Sequence, residues 1–93
     1  MPSKALSFAY RRLVPDTISD LMVGIKSLDA PEVVYEARLL KKLADECEAS
    51  MLRSTAEKIE HAAAANDLNA VLLFVPELTE FLLMHWNAEP VGI

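Results

Sequence analysis

The sequence has little glycine and a single cysteine, and both shortages narrow the class of protein. Two glycines in 93 residues leave little room for sheets with tight hairpins, whose turns favour glycine. Cys47 has no second cysteine for an internal disulfide, which favours a reducing, cytoplasmic setting. These shortages point towards a helical intracellular protein.

Clustered cations and long apolar runs are also scarce. Nine Lys and Arg stand against fourteen Asp and Glu, for a formal net charge of −5, whereas nucleic-acid binding needs clustered cations. No apolar run reaches the roughly 18 residues of a membrane span, and the start "MPSKALSFAYRR" has no signal-peptide core. We therefore expect a cytoplasmic protein that binds neither nucleic acid nor membrane.

Apolar residues at helical spacing are what the chain has in quantity. The sequence is 53% hydrophobic, enough for residues 1–93 to form one domain around its own core. A proline inside such a pattern either ends the helix or kinks it. The spacing predicts a short extra N-terminal helix over residues 4–13, a helix over residues 15–28, and a last helix over residues 67–86, kinked at Pro76.

The stretch from Pro31 to Ala65 contains no glycine or proline and reads locally as one long helix. Such a rod exceeds the usual helix length and would have no partner in so short a chain unless the protein dimerised. A bend near "ECEAS", with Ser50 as a new N-cap, gives two helices of ordinary length and is the preferred interpretation. Asp29 and Asp67 are expected to cap the helices that follow them.

These elements predict an all-α fold, an up-down antiparallel four-helix bundle with a short extra N-terminal helix. Short connections between the helices would make neighbours antiparallel. The predicted core consists of Ile18, Leu21, Met22, Ile25, Val33, Ala37, Leu40, Ala44, Leu52, Ala56, Ile59, Leu68, Val71, Leu72 and Val75.

The segment "ARLLKKLA" (residues 37–44) and the residues on either side of it carry the candidate binding residues. Val33, Ala37 and Leu40 follow the four-and-three spacing of a core seam, which places Arg38 on the opposite side of the helix. Apolar side chains around a cationic centre are typical of a contact surface, although a solvated face with scattered apolar residues gives the same pattern. The predicted partner-binding residues, called here the Arg38 face, are Val34, Tyr35, Arg38, Leu39, Lys41, Lys42 and Asp45.

The order of motifs from residue 27 to residue 78 adds a resemblance. An acidic cap at Asp29 precedes "ARLLKK"; "LRSTAEKIE" follows over residues 52–60, and then Asp67 and "PEL". This order resembles the histidine-containing phosphotransfer (HPt) family, with its Ala-His-x-Leu-Lys-Gly stretch, Leu-x3-Ala-x2-Leu-Glu run and Asp-initiated last helix. The resemblance runs without a gap over more than half of the chain, and it implies a helical bundle in two-component signalling.

The chain departs from the family at the residues that carry the chemistry. Arg38 stands where the family has its phosphoacceptor histidine, and a guanidinium stays protonated and offers no nucleophilic lone pair. Lys41 matches the family's lysine that helps to hold the phosphoryl group. Lys42 replaces the glycine that lets a partner approach closely, and a turn glycine near residue 48 is also missing. The resemblance thus implies a phosphorelay surface without its phosphoacceptor.

The other reactive side chains do not suggest a catalytic site. His61 faces outward, but Ala64 occupies the position of a supporting lysine, and His85 stands beside Trp86 near the chain end. Two isolated histidines do not make a metal site, and Cys47 falls on the core seam. We therefore expect no enzyme active site, no cofactor and no bound metal.

Three functions fit these patterns. The preferred one is a non-catalytic, pseudo-phosphotransfer signalling module that binds a response-regulator receiver domain or a histidine kinase. The second is a structural or oligomerisation bundle, a homodimer for example, in which the side chains of Val34, Tyr35 and Leu39 and the aromatic C-terminal helix bury against another copy. The third is an active phosphotransfer protein that uses an unexpected residue.

Overall fold

The computed structural model describes the backbone of residues 4–85 and the side chains of residues 12–84, and every regular element in this part is a helix. The all-α prediction is confirmed, with four helices packed around one core and no strand within residues 4–85. The helices are α1 (Lys4–Lys26), α2 (Ala30–Glu46), α3 (Ser50–Ala64) and α4 (Leu68–His85).

The predicted bend in the central stretch is confirmed. α2 ends at Glu46 and α3 begins at Ser50, so the 31–65 region is two helices of ordinary length. The predicted capping role of Ser50 is wrong, because Ala49 holds the N-cap position and has no side-chain oxygen to accept a bond from the first turn.

The two predicted aspartate caps are confirmed. The Asp29 carboxylate accepts a hydrogen bond of 3.2 Å from the backbone amide of Glu32. The Asp67 carboxylate accepts one of 3.1 Å from the amide of Ala70. Each cap satisfies an amide that has no acceptor within its own helix.

The three connections share one geometry. At the end of α2, the Ala49 amide donates to the Ala44 carbonyl at 2.8 Å and the Glu48 amide donates to the Asp45 carbonyl at 3.2 Å. This pair of bonds is the Schellman motif, in which one residue takes the left-handed conformation. The same two bonds close α1 and α3, and the left-handed residues are Leu28, Glu48 and Asn66, with φ of 56°, 57° and 60°.

The short extra N-terminal helix is not confirmed. A single helix, α1, covers the range in which two were predicted, and Pro15 lies inside it. An interior proline removes one backbone hydrogen bond. One continuous face of α1 is nevertheless buried on both sides of Pro15, through Val14, Ile18 and Leu21. This shared packing keeps the helix continuous at the proline. Pro76 lies inside α4 in the same way, and the predicted Trp86 end lies outside the described residues.

The core confirms most of the predicted positions in α1, α2 and α3. The exceptions among the predicted residues are Met22 and Leu72, which are exposed, and Leu68 and Val75, which are only partly buried. α4 instead buries Val71, Leu78 and Phe81. Buried apolar residues that were not predicted are Val14, Ala30, Leu43, Ala63, Leu78 and Phe81.

The helices do not contact one another equally. α2 packs most extensively against α3, α1 packs against α2, and α3 packs against α4, whereas α1 and α4 meet over a much smaller surface. The α2–α3 pair therefore forms the centre of the molecule. Within residues 4–85, none of the helices combines the length and the apolar character needed to cross a bilayer.

Candidate partner-binding surface on α2

The burial pattern of α2 turns Arg38 outward. Val33, Ala37 and Leu40 are fully buried, and the helical repeat then leaves Arg38 on the outside, with 67% of its side chain exposed. Tyr35 is 61% exposed. The centre of the predicted Arg38 face is therefore accessible.

The other predicted members of the face differ in exposure. Leu39, Lys42 and Asp45 are exposed, whereas Val34 and Lys41 are partly buried. Val34 packs against the core cluster, so it supports the face from beneath and offers less contact area than the sequence suggested.

A carboxylate on α3 holds two of the cations. Arg38 Nε donates to Glu60 Oε2 at 2.8 Å, and Lys41 Nζ donates to Glu60 Oε1 at 2.8 Å. Only 14% of the Glu60 side chain is exposed. The hydrogen bond from Lys41 and that from Arg38 lower the pKa of Glu60 below its usual value, since both favour the charged form. Glu60 thus fixes the positions of two cations with one ionised group.

This arrangement leaves donors free for an outside ligand. Only Nε of Arg38 bonds to Glu60, and no other acceptor among the described residues contacts the guanidinium. Its terminal nitrogens can therefore bind a carboxylate or phosphate oxygen. Lys42 is exposed without an ion-pair partner in the described part of the chain. Arg38, Lys41 and Lys42 outnumber Glu60, so the surface is locally positive on a chain of net charge −5.

Asp45 already has a partner within the chain. Its carboxylate lies 2.6 Å from Arg53 Nε, and Arg53 also reaches Glu57 at 3.3 Å. All three side chains are about half exposed, where ion pairs contribute little stability. Asp45 is therefore available at the edge of the face, but its charge is neutralised locally.

Glu60 was not among the residues that the sequence predicted for the face. It was noted only as part of the resemblance to the HPt family. The signal that could have identified it is the predicted bend near residue 48, because residues at similar distances on either side of a helical hairpin meet. Arg38 and Glu60 lie ten positions before and twelve positions after Glu48.

The remaining reactive side chains lie away from this cluster of cations. His61 is exposed and lines a shallow depression of about 380 Å³ with Lys58 and Phe74. Burial raises the pKa of the half-buried Cys47 thiol. The side chain of His85 and the whole of Trp86 lie outside the described structure. No group of three or more His, Cys, Asp or Glu side chains suited to a metal ion occurs among the described residues.

Comparisons with protein-family models, with curated proteins and with solved structures found no match to this chain. The roles implied by the HPt resemblance therefore depend on the residues and geometry of this molecule. The relevant geometry is the exposed Arg38, flanked by exposed Tyr35 and Leu39 and bound to Glu60.

Proposed function

We propose that this protein is a non-catalytic signalling module resembling an HPt domain, which binds a response-regulator receiver domain or a histidine kinase without carrying phosphate. The observation that supports this proposal is the exposed guanidinium of Arg38 on α2, where the HPt family has its histidine. An up-down antiparallel arrangement of the four helices is part of the proposal, and three-residue connections between the helices support it. The lone, half-buried cysteine supports a cytoplasmic location.

Charge complementarity is the physical basis of the proposed binding. The resemblance implies a partner with a pocket of aspartates, and such a pocket is negative before phosphorylation. Arg38 and Lys41 are held in place by Glu60, so little side-chain freedom is lost when they pair with the pocket. Tyr35 and Leu39 supply apolar contact around the cations, which excludes water and strengthens the charge pairs.

The chemistry of position 38 argues against phosphate transfer. A phosphoacceptor needs a lone pair near neutral pH, which imidazole offers and a protonated guanidinium does not. His61, on α3, has no lysine at the supporting position three residues later, where Ala64 stands. The proposal is therefore that the protein binds partners of a phosphorelay and takes no phosphoryl group from them.

Two measurements on the purified protein test this proposal. Titration with panels of purified receiver domains and histidine kinases should detect saturable binding to at least one of them, and incubation with a small-molecule phosphodonor should leave the protein unlabelled. Absence of binding to all receivers and kinases tested would refute the proposal. Labelling of the unaltered protein, at His61 for instance, would favour an active phosphotransfer protein instead.

Variants with histidine at position 38 extend the phosphodonor measurement. Arg38→His alone should accept little phosphate, because Lys42 still crowds the approach of a partner's aspartate, whereas Arg38→His combined with Lys42→Gly should accept more. Equal labelling of the two variants would show that Lys42 is no obstacle.

An oligomerisation module is the second candidate function. The observation in its favour is the number of large apolar side chains that lie exposed, among them Tyr35 on α2 and Leu73 on α4. Titration with receiver domains separates the two candidates, because a purely structural bundle would self-associate and ignore receiver domains.

A further inference from the structure

We propose that the outward face of α4 binds the same face of a second copy, with the two helices antiparallel. This face, called here the α4 stripe, consists of Leu72, Leu73, Pro76, Leu83 and Met84, which are all exposed. The inference is independent of receiver binding, because the Arg38 face contributes nothing to it.

The composition of the stripe distinguishes it from an ordinary solvated helix surface. Its three leucines and its methionine are each exposed by half or more. The other fully exposed positions of α4 whose side chains are described are Asn69, Thr79 and Glu80, and Glu80 is the only charged residue among them. Large exposed apolar patches with polar residues around them are unusual on soluble monomers and mark interaction sites.

The positions of the apolar side chains point to a second copy as the occupant. Leu72 and Leu73 lie about as far before Leu78 as Leu83 and Met84 lie after it, and Leu78 itself is fully buried. The two pairs are eleven positions apart, close to three helical turns or about 16 Å, so they share one face. The stripe is therefore nearly symmetric about its own midpoint.

A two-fold axis at the level of Leu78 makes such a stripe complementary to itself. In an antiparallel pairing, Leu72 meets the partner's Leu83, and Leu73 meets the partner's Met84. Each contact then occurs twice, which is the property of an isologous dimer interface. A partner of a different kind would have no need of this symmetry.

The available area and charge indicate a weak dimer. The exposed apolar side chains would bury on the order of 1,000 Å² in total, near the lower limit for a specific interface. Near the axis, Glu80 would face the partner's Pro76, and the two Glu80 carboxylates would approach each other. Their repulsion opposes pairing, so Glu80→Gln should tighten the dimer by a few fold.

Sedimentation equilibrium of the full chain tests the surface. The unaltered protein should form dimers as its concentration rises towards about 1 mM, the weak end of the affinity scale, and Leu73→Glu should stay monomeric at all concentrations. Met51→Glu is the matched control, because Met51 is 61% exposed on α3 and lies outside the stripe. A monomeric unaltered protein, or a Leu73→Glu variant that dimerises like the parent, would overturn the proposal.

Disulfide trapping tests the antiparallel geometry. In a Cys47→Ser background, Leu72→Cys and Leu83→Cys are prepared as separate proteins, and circular dichroism checks that both remain helical. An equimolar mixture should form a disulfide-linked dimer under mild oxidation, because antiparallel pairing brings position 72 of one copy next to position 83 of the other. Each variant alone should not, because the two identical positions lie about three helical turns apart and a disulfide needs Cα atoms about 4.4–6.8 Å apart. Equal cross-linking by the single variants would indicate a parallel pairing and contradict the proposal.

Discussion

The outward faces of α2 and α4 have different chemistry although both helices pack against α3. α2 carries charged residues along its exposed side, and a carboxylate on α3 fixes two of its cations at 2.8 Å. α4 exposes leucines and a methionine with Glu80 as the one charge at a fully exposed position of its described side chains. The first face can select a partner by charge, whereas the second can only add apolar area.

This difference implies that the two faces respond to different changes. α2 and α4 pack mainly against other helices and very little against each other. A substitution on one face should therefore leave the other intact, which allows the proposed receiver binding and the proposed self-association to be changed separately. The predictions below test this separation, from the largest expected effect to the smallest.

Arg38→Ala should give the largest effect. Truncating one member of a desolvated charge pair commonly costs about 2–5 kcal/mol, so affinity for a receiver domain should fall at least tenfold. Lys41→Ala should cost less, since the partly buried Lys41 is less accessible than Arg38. Isothermal titration calorimetry measures both.

Lys58→Ala is the control for this comparison. Lys58 lies 3.9 Å from Glu77 and over the ring of Phe74, so it serves the α3–α4 contact and not the Arg38 face. It should leave receiver affinity unchanged. An Arg38→Ala variant that binds like the parent would exclude the proposed docking through the Arg38 face, whereas a loss of dimerisation in Arg38→Ala would show that the two faces are not separate.

Glu36→Gln should change the stability of the fold and neither surface. Glu36 is 6% exposed, and its pKa is raised from 4.5 to about 7, first by burial, then by a hydrogen bond with Glu32 and by the nearby charge of Asp20. The folded state therefore binds the proton of the Glu36 carboxyl group more tightly than the unfolded state does. The contribution of this proton to the free energy of unfolding is fully present below about pH 4.5 and is lost as the pH rises through 7.

The direction of this pH dependence predicts that Glu36→Gln stabilises the fold at high pH. At pH 8 glutamine should raise the free energy of unfolding by about 2 kcal/mol, because it cannot ionise. At pH 5 the variant and the parent should differ little, because Glu36 is then protonated. Urea unfolding at both pH values measures the difference, and a gain of equal size at pH 5 would contradict the titration of Glu36.

The elements that the sequence predicts correctly are those fixed by local signals. Asp29 and Asp67 carry capping side chains, and the four-and-three spacing of α2 locates its buried side. α4 lacks such a signal because it is apolar around most of its circumference. Its buried stripe through Val71, Leu78 and Phe81 is therefore set by tertiary packing, which the sequence alone does not reveal.

Contacts between helices were the second feature that could not be predicted from the sequence. A Cβ at Gly24 would lie 3.1 Å from Val33 Cγ2, so glycine allows the close approach of α1 to α2, which the sequence alone does not reveal. Glu48 takes a left-handed conformation without any local signal for it. Glu60 reaches Arg38 and Lys41 only because α2 and α3 pack side by side. The Arg38 face was thus predicted from the sequence and stays a prediction, whereas Glu60, the carboxylate on α3 that binds its cations, was not predicted.

Glu60→Gln should increase the affinity of the Arg38 face for a receiver domain, which would strengthen the contrast with the apolar face of α4. Glu60 neutralises part of the charge that a partner's aspartates would meet, so removing its charge should strengthen binding roughly threefold to tenfold, about 1 kcal/mol. Glu57→Gln changes the net charge equally on the same helix, but Glu57 pairs with Arg53, so it should have less effect. Weaker binding by Glu60→Gln would show that holding the cations in place matters more than their net charge.

A higher salt concentration should produce the smallest effect on receiver affinity, and it should distinguish the Arg38 face from the α4 stripe most directly. Raising the concentration of NaCl from about 0.1 M to about 1 M shortens the screening length from roughly 10 Å to 3 Å. Receiver affinity should then fall by several fold, because the cations around Arg38 attract the partner through charge. Self-association through the α4 stripe should hold or strengthen slightly, since salt screens the repulsion between the two Glu80 carboxylates and leaves the apolar contact intact. Parallel titration and sedimentation series measure the two responses, and if both constants fell together with salt, the assignment of charge to one face and apolar contact to the other would be wrong.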